Sequence, residues 1–186
     1  MLDHFGFLAP FYDRVIGPPD PARLQELLRL PVAGRMLDAG GGTGRVSVQF
    51  RPLVDQLFIS DLSAKMLQQA REKGNCRPAL AHVEKLPYPD GSFERVLVVD
   101  ALHHFCDQRE AIAELVRVLK PGGRLVIEEP DLSHFAVKMV AVAEKVALMR
   151  SRFYYPYEIR DMVAEHGLPA FVQTDDQFAA WVVADK

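Results

Sequence analysis

Short apolar runs alternate along the chain with segments whose apolar residues recur every three or four positions. The first run lies in GRMLDAG, from Met36 to Asp38, and leads straight into glycines. QLFISD is the second and ends at Asp61; RPALAHV is a weaker third. FERVLVVDA, the fourth, is apolar on both faces of its middle, as a central parallel strand covered by helices on each side must be. RLVIEEP is the fifth. Helical patterns fill the intervals. RVSVQFRPL starts a helix after the glycines. Ser63 caps AKMLQQAREKG, whose Met66, Leu67 and Ala70 share a face and whose Gly74 suits the position past the helix end. Asp107 with Glu110 resembles a capping box and opens a helix with Ala111, Ile112, Leu115, Val116 and Leu119 on its apolar side. KPGG stops it. SHFAVKMVAVAEKVALMR is a long apolar helix, and PYEIRDMVAEHG is another, ended by Gly167. AFVQTD and FAAWVVAD are closing strands joined by a very short link around Asp176, which permits only an antiparallel hairpin.

Five alternating β/α steps followed by a hairpin edge predict an α/β fold with a mostly parallel sheet between two helical layers. The 186 residues suit one domain. With 49% apolar and 25% charged residues, the composition is that of a globular protein, and a net charge of -3 gives no hint of nucleic-acid affinity. Cys76 and Cys106 form no CxxC pattern, and the histidines lack ligand spacing, so neither a disulfide framework nor a metal site is expected. A reducing cytoplasm fits best. The opening MLDHFGFLAPFYDRV lacks the marks of a signal peptide, and no stretch approaches the about 20 apolar residues of a membrane span.

LDAGGGTGRVS raises the chemical question, because four glycines occupy the five positions from 40 to 44. Glycine is costly to order, so such a cluster marks backbone that bends sharply or comes close to a ligand. In an open α/β sheet, ligands bind beyond the carboxyl ends of the strands, where this turn lies. A dinucleotide fingerprint reads G-x-G-x-x-G and rests a pyrophosphate on the helix N-terminus. Here Gly40, Gly42 and Gly44 give G-x-G-x-G, and Arg45 stands where the last dinucleotide glycine should fall. Asp38 would repel a pyrophosphate but attract an ammonium group. A ligand with an amino-acid end and a nucleoside end matches best: S-adenosylmethionine. Asp61, about twenty residues past the first glycine, suits ribose hydroxyls, for this cofactor as for NAD.

Together, LDAGGGTG, ISDLSAKML, VEKLPYPDGSFERVLVVDALHHF, LKPGGRLVIEEP and YPYEIRDMVAEHG occur in an order that resembles the class I S-adenosylmethionine-dependent methyltransferases. The ubiquinone/menaquinone biosynthesis group is especially similar, and FLAPFYDRV resembles its opening segment. The resemblance implies a Rossmann-like three-layer α/β/α sandwich with strand order 3-2-1-4-5-7-6 and strand seven antiparallel. It also implies that Gly40, Gly42 and Gly44 surround the methionine part of the cofactor, with Asp61 on the ribose and Leu62 near the adenine. Family members often carry an acid where His82 stands; a neutral imidazole accepts through one nitrogen, and the backbone at Val83 is the other adenine contact. Asp100 faces the reaction centre, and Tyr12 closes over the cofactor from a helical cap segment spanning residues 1–31.

Methyl transfer from a sulfonium asks the protein chiefly to hold the nucleophile near the methyl carbon and exclude water. A base is needed only when the acceptor must lose a proton, and His103, His104 and Asp100 are the nearby groups, with His103 slightly ahead. Residues 133–157 form a lid-like helical insertion that, with Phe153, Tyr154, Tyr155 and Tyr157, either lines an apolar acceptor pocket or packs as ordinary core. The acceptor expected is a small apolar or aromatic molecule, in a pocket that is small, open, or completed by a second subunit in a homodimer. An NAD-dependent oxidoreductase and a non-catalytic S-adenosylmethionine-binding protein are the alternatives.

Overall fold

The computed structural model describes residues 20–146, 151–175 and 178–186. Tyr12 and the link at Asp176 lie outside them. The chain begins its described course with α1 (Pro21–Leu27), capped by Asp20, whose Oδ1 accepts from the amides of Ala22 at 2.9 Å and Arg23 at 3.3 Å. The strands are β1 (Val32–Ala39), β2 (Val54–Asp61), β3 (Cys76–Leu80), β4 (Phe93–Val99), β5 (Leu119–Pro130), β6 (Ala170–Thr174) and β7 (Ala179–Asp185). The remaining helices are α2 (Ala64–Lys73), α3 (Gln108–Val118), α4 (Phe135–Val146) and α5 (Pro156–Ala164).

All seven strands form one sheet in the order β3-β2-β1-β4-β5-β7-β6. The first five run parallel; β7 is antiparallel to β5, and β6 to β7. The pleat sorts the apolar runs into two cores. Leu37, Val96, Val98, Leu125 and Ile127 point to one face, under Ile112 and Leu115 of α3 and Ile159 and Met162 of α5. Met36, Leu97, Val99 and Val126 point to the other, under Leu24 of α1 and Leu67 of α2. Continuous apolar strands therefore supply two faces at once, which produces the three layers.

Local differences from the sequence reading have local causes. The segment after the glycines is a 3₁₀ helix, Ser47–Leu53, because Pro52 lies within it and lacks an amide donor. Asp107 does cap α3, accepting from the amides of Arg109 and Glu110 at 3.0 Å. Its own amide, however, donates to Glu84 rather than to a reciprocal Glu110. KPGG belongs to β5, so α3 stops at Val118.

Opposite the site, Arg124 is almost fully buried. It makes a fork on Asp185 (Nε–Oδ1 2.7 Å, Nη2–Oδ2 2.6 Å) and donates to the Leu27 carbonyl at 3.0 Å, joining α1, β5 and β7. These bonds hold the Asp185 carboxyl below its ordinary range. A depressed carboxylate stabilises the fold above its unfolded pKa, and that contribution disappears as pH falls through the folded value. Replacing Arg124 by Met should cost about 1–3 kcal/mol at pH 7. The deficit should shrink below about pH 4, as read by urea unfolding followed through Trp181 fluorescence.

Candidate active site

A cavity opens at the carboxyl ends of β1, β2 and β4, walled by the glycine turn, the start of α2, the segment after β3 and the loop after β4. The turn is strapped to its neighbour: the amides of Gly40 and Gly41 both donate to the Ser60 carbonyl, at 2.7 and 3.2 Å. Gly42 has φ +54°, and a Cβ there would stand in open space with Asp61 Oδ2 at 3.9 Å as its nearest neighbour. The turn thus leaves room that a side chain would fill, as a ligand cradle must. Gly44 serves packing instead: a Cβ would meet Ile59 Cδ1 at 2.8 Å and Val48 Cγ2 at 2.9 Å. It does not line the cavity, whereas Gly40 and Gly42 do.

Carboxylates shape the rest. Asp61 accepts from the Gly42 amide at 2.9 Å through Oδ2 and from the Ser63 amide at 2.7 Å through Oδ1, tying two loops together at the cavity. Asp38 lies beneath Gly41 and is 2% exposed; burial, with the nearby charge of Asp61, pushes its carboxyl up to about 6. Asp100 follows directly after β4 with φ +50°. Its amide donates to the Glu128 carbonyl at 3.0 Å, and its Oδ2 accepts from Arg45 Nη2 at 2.9 Å. Leu62 and Val83 line the cavity wall, with Leu62 more than half exposed. His82 does not line it: its ring is largely exposed and sits 3.7 Å from Glu84 Oε2.

His103 lies one layer behind the wall. Its Nδ1 is 2.6 Å from Glu129 Oε2, and its ring stacks on Phe153 with centroids 4.3 Å apart. His104 is the histidine that lines the cavity; burial pushes its pKa down to about 3, so it is uncharged at neutral pH. Two acids that the motifs did not mark prove structural to the site. Glu129 Oε1 accepts from the amides of Ala101 at 2.9 Å and Leu102 at 2.8 Å, while Glu84 Oε1 accepts from those of Cys106 at 2.7 Å and Asp107 at 3.1 Å. The available signal for Glu129 was a pair of acids ending an otherwise apolar strand.

A doubly covered parallel sheet with an antiparallel seventh strand, a glycine cradle and an acid ending β2 define the class: a Rossmann-like methyltransferase fold. Residues 37–127 match the methyltransferase domain family. The ubiquinone/menaquinone biosynthesis C-methyltransferase UbiE of Stutzerimonas stutzeri is 40% identical over 105 residues, covering 51% of this chain and 41% of that protein. UbiE of Pseudomonas aeruginosa is 39% identical over 114 residues, covering 56% and 44%. The chain therefore spans about two fifths of the length of these curated relatives. In structure it is similar to an S-adenosylmethionine-dependent methyltransferase of Thermotoga maritima, with TM-score 0.79, 22% identity and 98% coverage of both chains. Residues 37–127 are thus similar to a methyltransferase domain, and the fold is the one seen in class I S-adenosylmethionine-dependent methyltransferases; S-adenosylmethionine is the cofactor this similarity implies.

Two measurements follow from the geometry. Gly42→Val places a branched side chain in the cradle at a positive φ, so S-adenosylhomocysteine should bind at least about tenfold more weakly by calorimetry, with an unchanged circular dichroism spectrum. Buried Glu128, which accepts from Trp181 Nε1, has its pKa pushed by burial from 4.5 up to about 7. A carboxyl raised on folding stabilises fully below its unfolded pKa, and that contribution is lost as pH rises through the folded value. Glu128→Gln should therefore gain on the parent from pH 4.5 to 8, reaching up to about 3 kcal/mol, in unfolding curves collected across that range.

Proposed function

We propose that the domain transfers a methyl group from S-adenosylmethionine to a small apolar or aromatic, quinone-like acceptor, on carbon or oxygen. The observation that carries this reading is the clasp beside the cavity-lining His104. Ser151 Oγ is 3.1 Å from His104 Nδ1, the Arg152 amide donates to the His103 carbonyl at 2.8 Å, and Phe153 stacks on His103. This fixes the aromatic end of the 133–157 insertion beside the loop after β4. The UbiE names of the relatives support a quinone-type acceptor and C-methylation. The net charge of -3 supports a small molecule over a nucleic acid, and the free thiols of Cys76 and Cys106 support a reducing compartment.

The cofactor supplies an activated methyl group on a sulfonium, and the chain does the rest. Gly40 and Gly42 leave space for its amino-acid end, Asp61 receives the ribose hydroxyls, and Leu62 and Val83 bound the adenine. Phe105, packed near Gly40 and lining the cavity, helps keep water from the transfer end. His103, held by Glu129, fixes the loop that carries Asp100.

The test is methyl transfer from labelled S-adenosylmethionine to a panel of naphthoquinols, phenols and amines. Quinol or phenol methylation is expected; transfer to amines alone would overturn the reading. With an active acceptor, Phe153→Ala should raise its KM about tenfold or more, the scale of a lost aromatic contact, and leave S-adenosylhomocysteine affinity within about twofold.

A further inference from the structure

Arg45 stands directly after the glycine turn. Its side chain is 9% exposed and that of Asp100, its ion-pair partner, is 31% exposed. Among the described residues, it is the only arginine or lysine lining the cavity, against the carboxylates of Asp38, Asp61, Glu84 and Asp100. The pair spans the cavity floor, from the loop after β1 to the end of β4. An ion pair with one face on a ligand cavity fixes the direction of its carboxylate, because a guanidinium holds one oxygen and leaves the other for a guest.

Resting on the S-adenosylmethionine reading, we propose that Arg45 is a positioning residue that holds the Asp100 carboxylate ionised and turned into the cavity, where it receives the ammonium group of the cofactor's amino-acid end. The surroundings explain why such a residue is needed. Asp100 faces Glu128 and Glu129 from β5, His103 from its own loop, and Arg45 from the loop after β1; Asp38, Asp61 and His104 lie on the same cavity, and Asp175 adds negative charge near Glu128. Burial and the Glu129 charge push the Asp100 carboxyl upward, while Arg45 and His103 pull it back. Without Arg45, burial and the Glu129 charge push the carboxyl further toward the neutral acid, which holds a cation less well.

Two ligands separate this role from simple support of the turn. S-adenosylhomocysteine carries the ammonium group; 5′-methylthioadenosine has the same nucleoside without it. By calorimetry at pH 7, Arg45→Met and Asp100→Asn should each weaken S-adenosylhomocysteine at least about tenfold, and leave 5′-methylthioadenosine within about twofold. Arg45→Lys should restore part of the loss. The double variant should be no weaker than Asp100→Asn alone, since Arg45 acts through Asp100. In free protein carrying ¹³C-carboxyl aspartate, assigned with Asp100→Asn, the Asp100 titration should move up by about 1 pH unit or more in Arg45→Met. Equal weakening of both ligands, additive losses in the double variant, or an unmoved Asp100 titration would overturn the proposal. Should Arg45→Met fail to fold, unchanged S-adenosylhomocysteine affinity in Asp100→Asn overturns it as well. Failure of the unaltered protein to bind either ligand would instead remove the cofactor reading itself.

Discussion

Where a parallel strand leaves its sheet, the next few amide donors lose their ladder partners and must find others before they can be buried. In this protein carboxylates collect them. Asp61 takes the amides of Gly42 and Ser63, Glu129 those of Ala101 and Leu102, and Glu84 those of Cys106 and Asp107. Each acid joins residues distant in sequence or fixes a loop from the neighbouring strand. The cavity is the space these loops enclose, so its shape depends on acids that sit in its walls or one layer behind them. Charge-assisted bonds of this kind are roughly twice as strong as neutral ones, which lets short loops hold irregular backbone such as Asp100 at φ +50°.

The same device leaves the site rich in negative charge. Asp38 and Glu128 have their pKa values raised by burial, and Asp100 shares their direction. Such an environment suits a ligand with a cationic end and disfavours a pyrophosphate, which is the physical reason the methyltransferase reading prevails over the dinucleotide one. Glu128 costs stability at neutral pH, and its bond from Trp181 fixes the junction of β5 and β7 beside Asp100. Stability and site chemistry are therefore coupled through one buried carboxyl.

Much of the fold was legible because its signals are local. Val96 to Val99 are apolar in succession, and the structure sends alternate members to two cores. The hairpin followed from the shortness of its link, and Ser63 and Asp107 announce their helices by type and position. The cradle was legible through glycine's cost. The roles of Glu84 and Glu129 were not, since their partners lie 22 to 28 residues away and nothing in a strand-end acid says which loop it will meet. The two histidines of DALHHF differ for the same reason: adjacent positions on a 3₁₀ turn, Leu102–His104, send one ring to Glu129 and the other to the cavity. Pro52 announces the limit on the helix after the glycines, but only its position in the finished turn shows how far that limit reaches.

The central claim is that this acid-walled cavity holds S-adenosylmethionine. Titration calorimetry of the unaltered protein with S-adenosylmethionine and, in parallel, with NAD tests it most directly. The account predicts saturable one-to-one binding of S-adenosylmethionine, displaced by S-adenosylhomocysteine, and no heat from NAD. Binding of NAD with none of S-adenosylmethionine would contradict it.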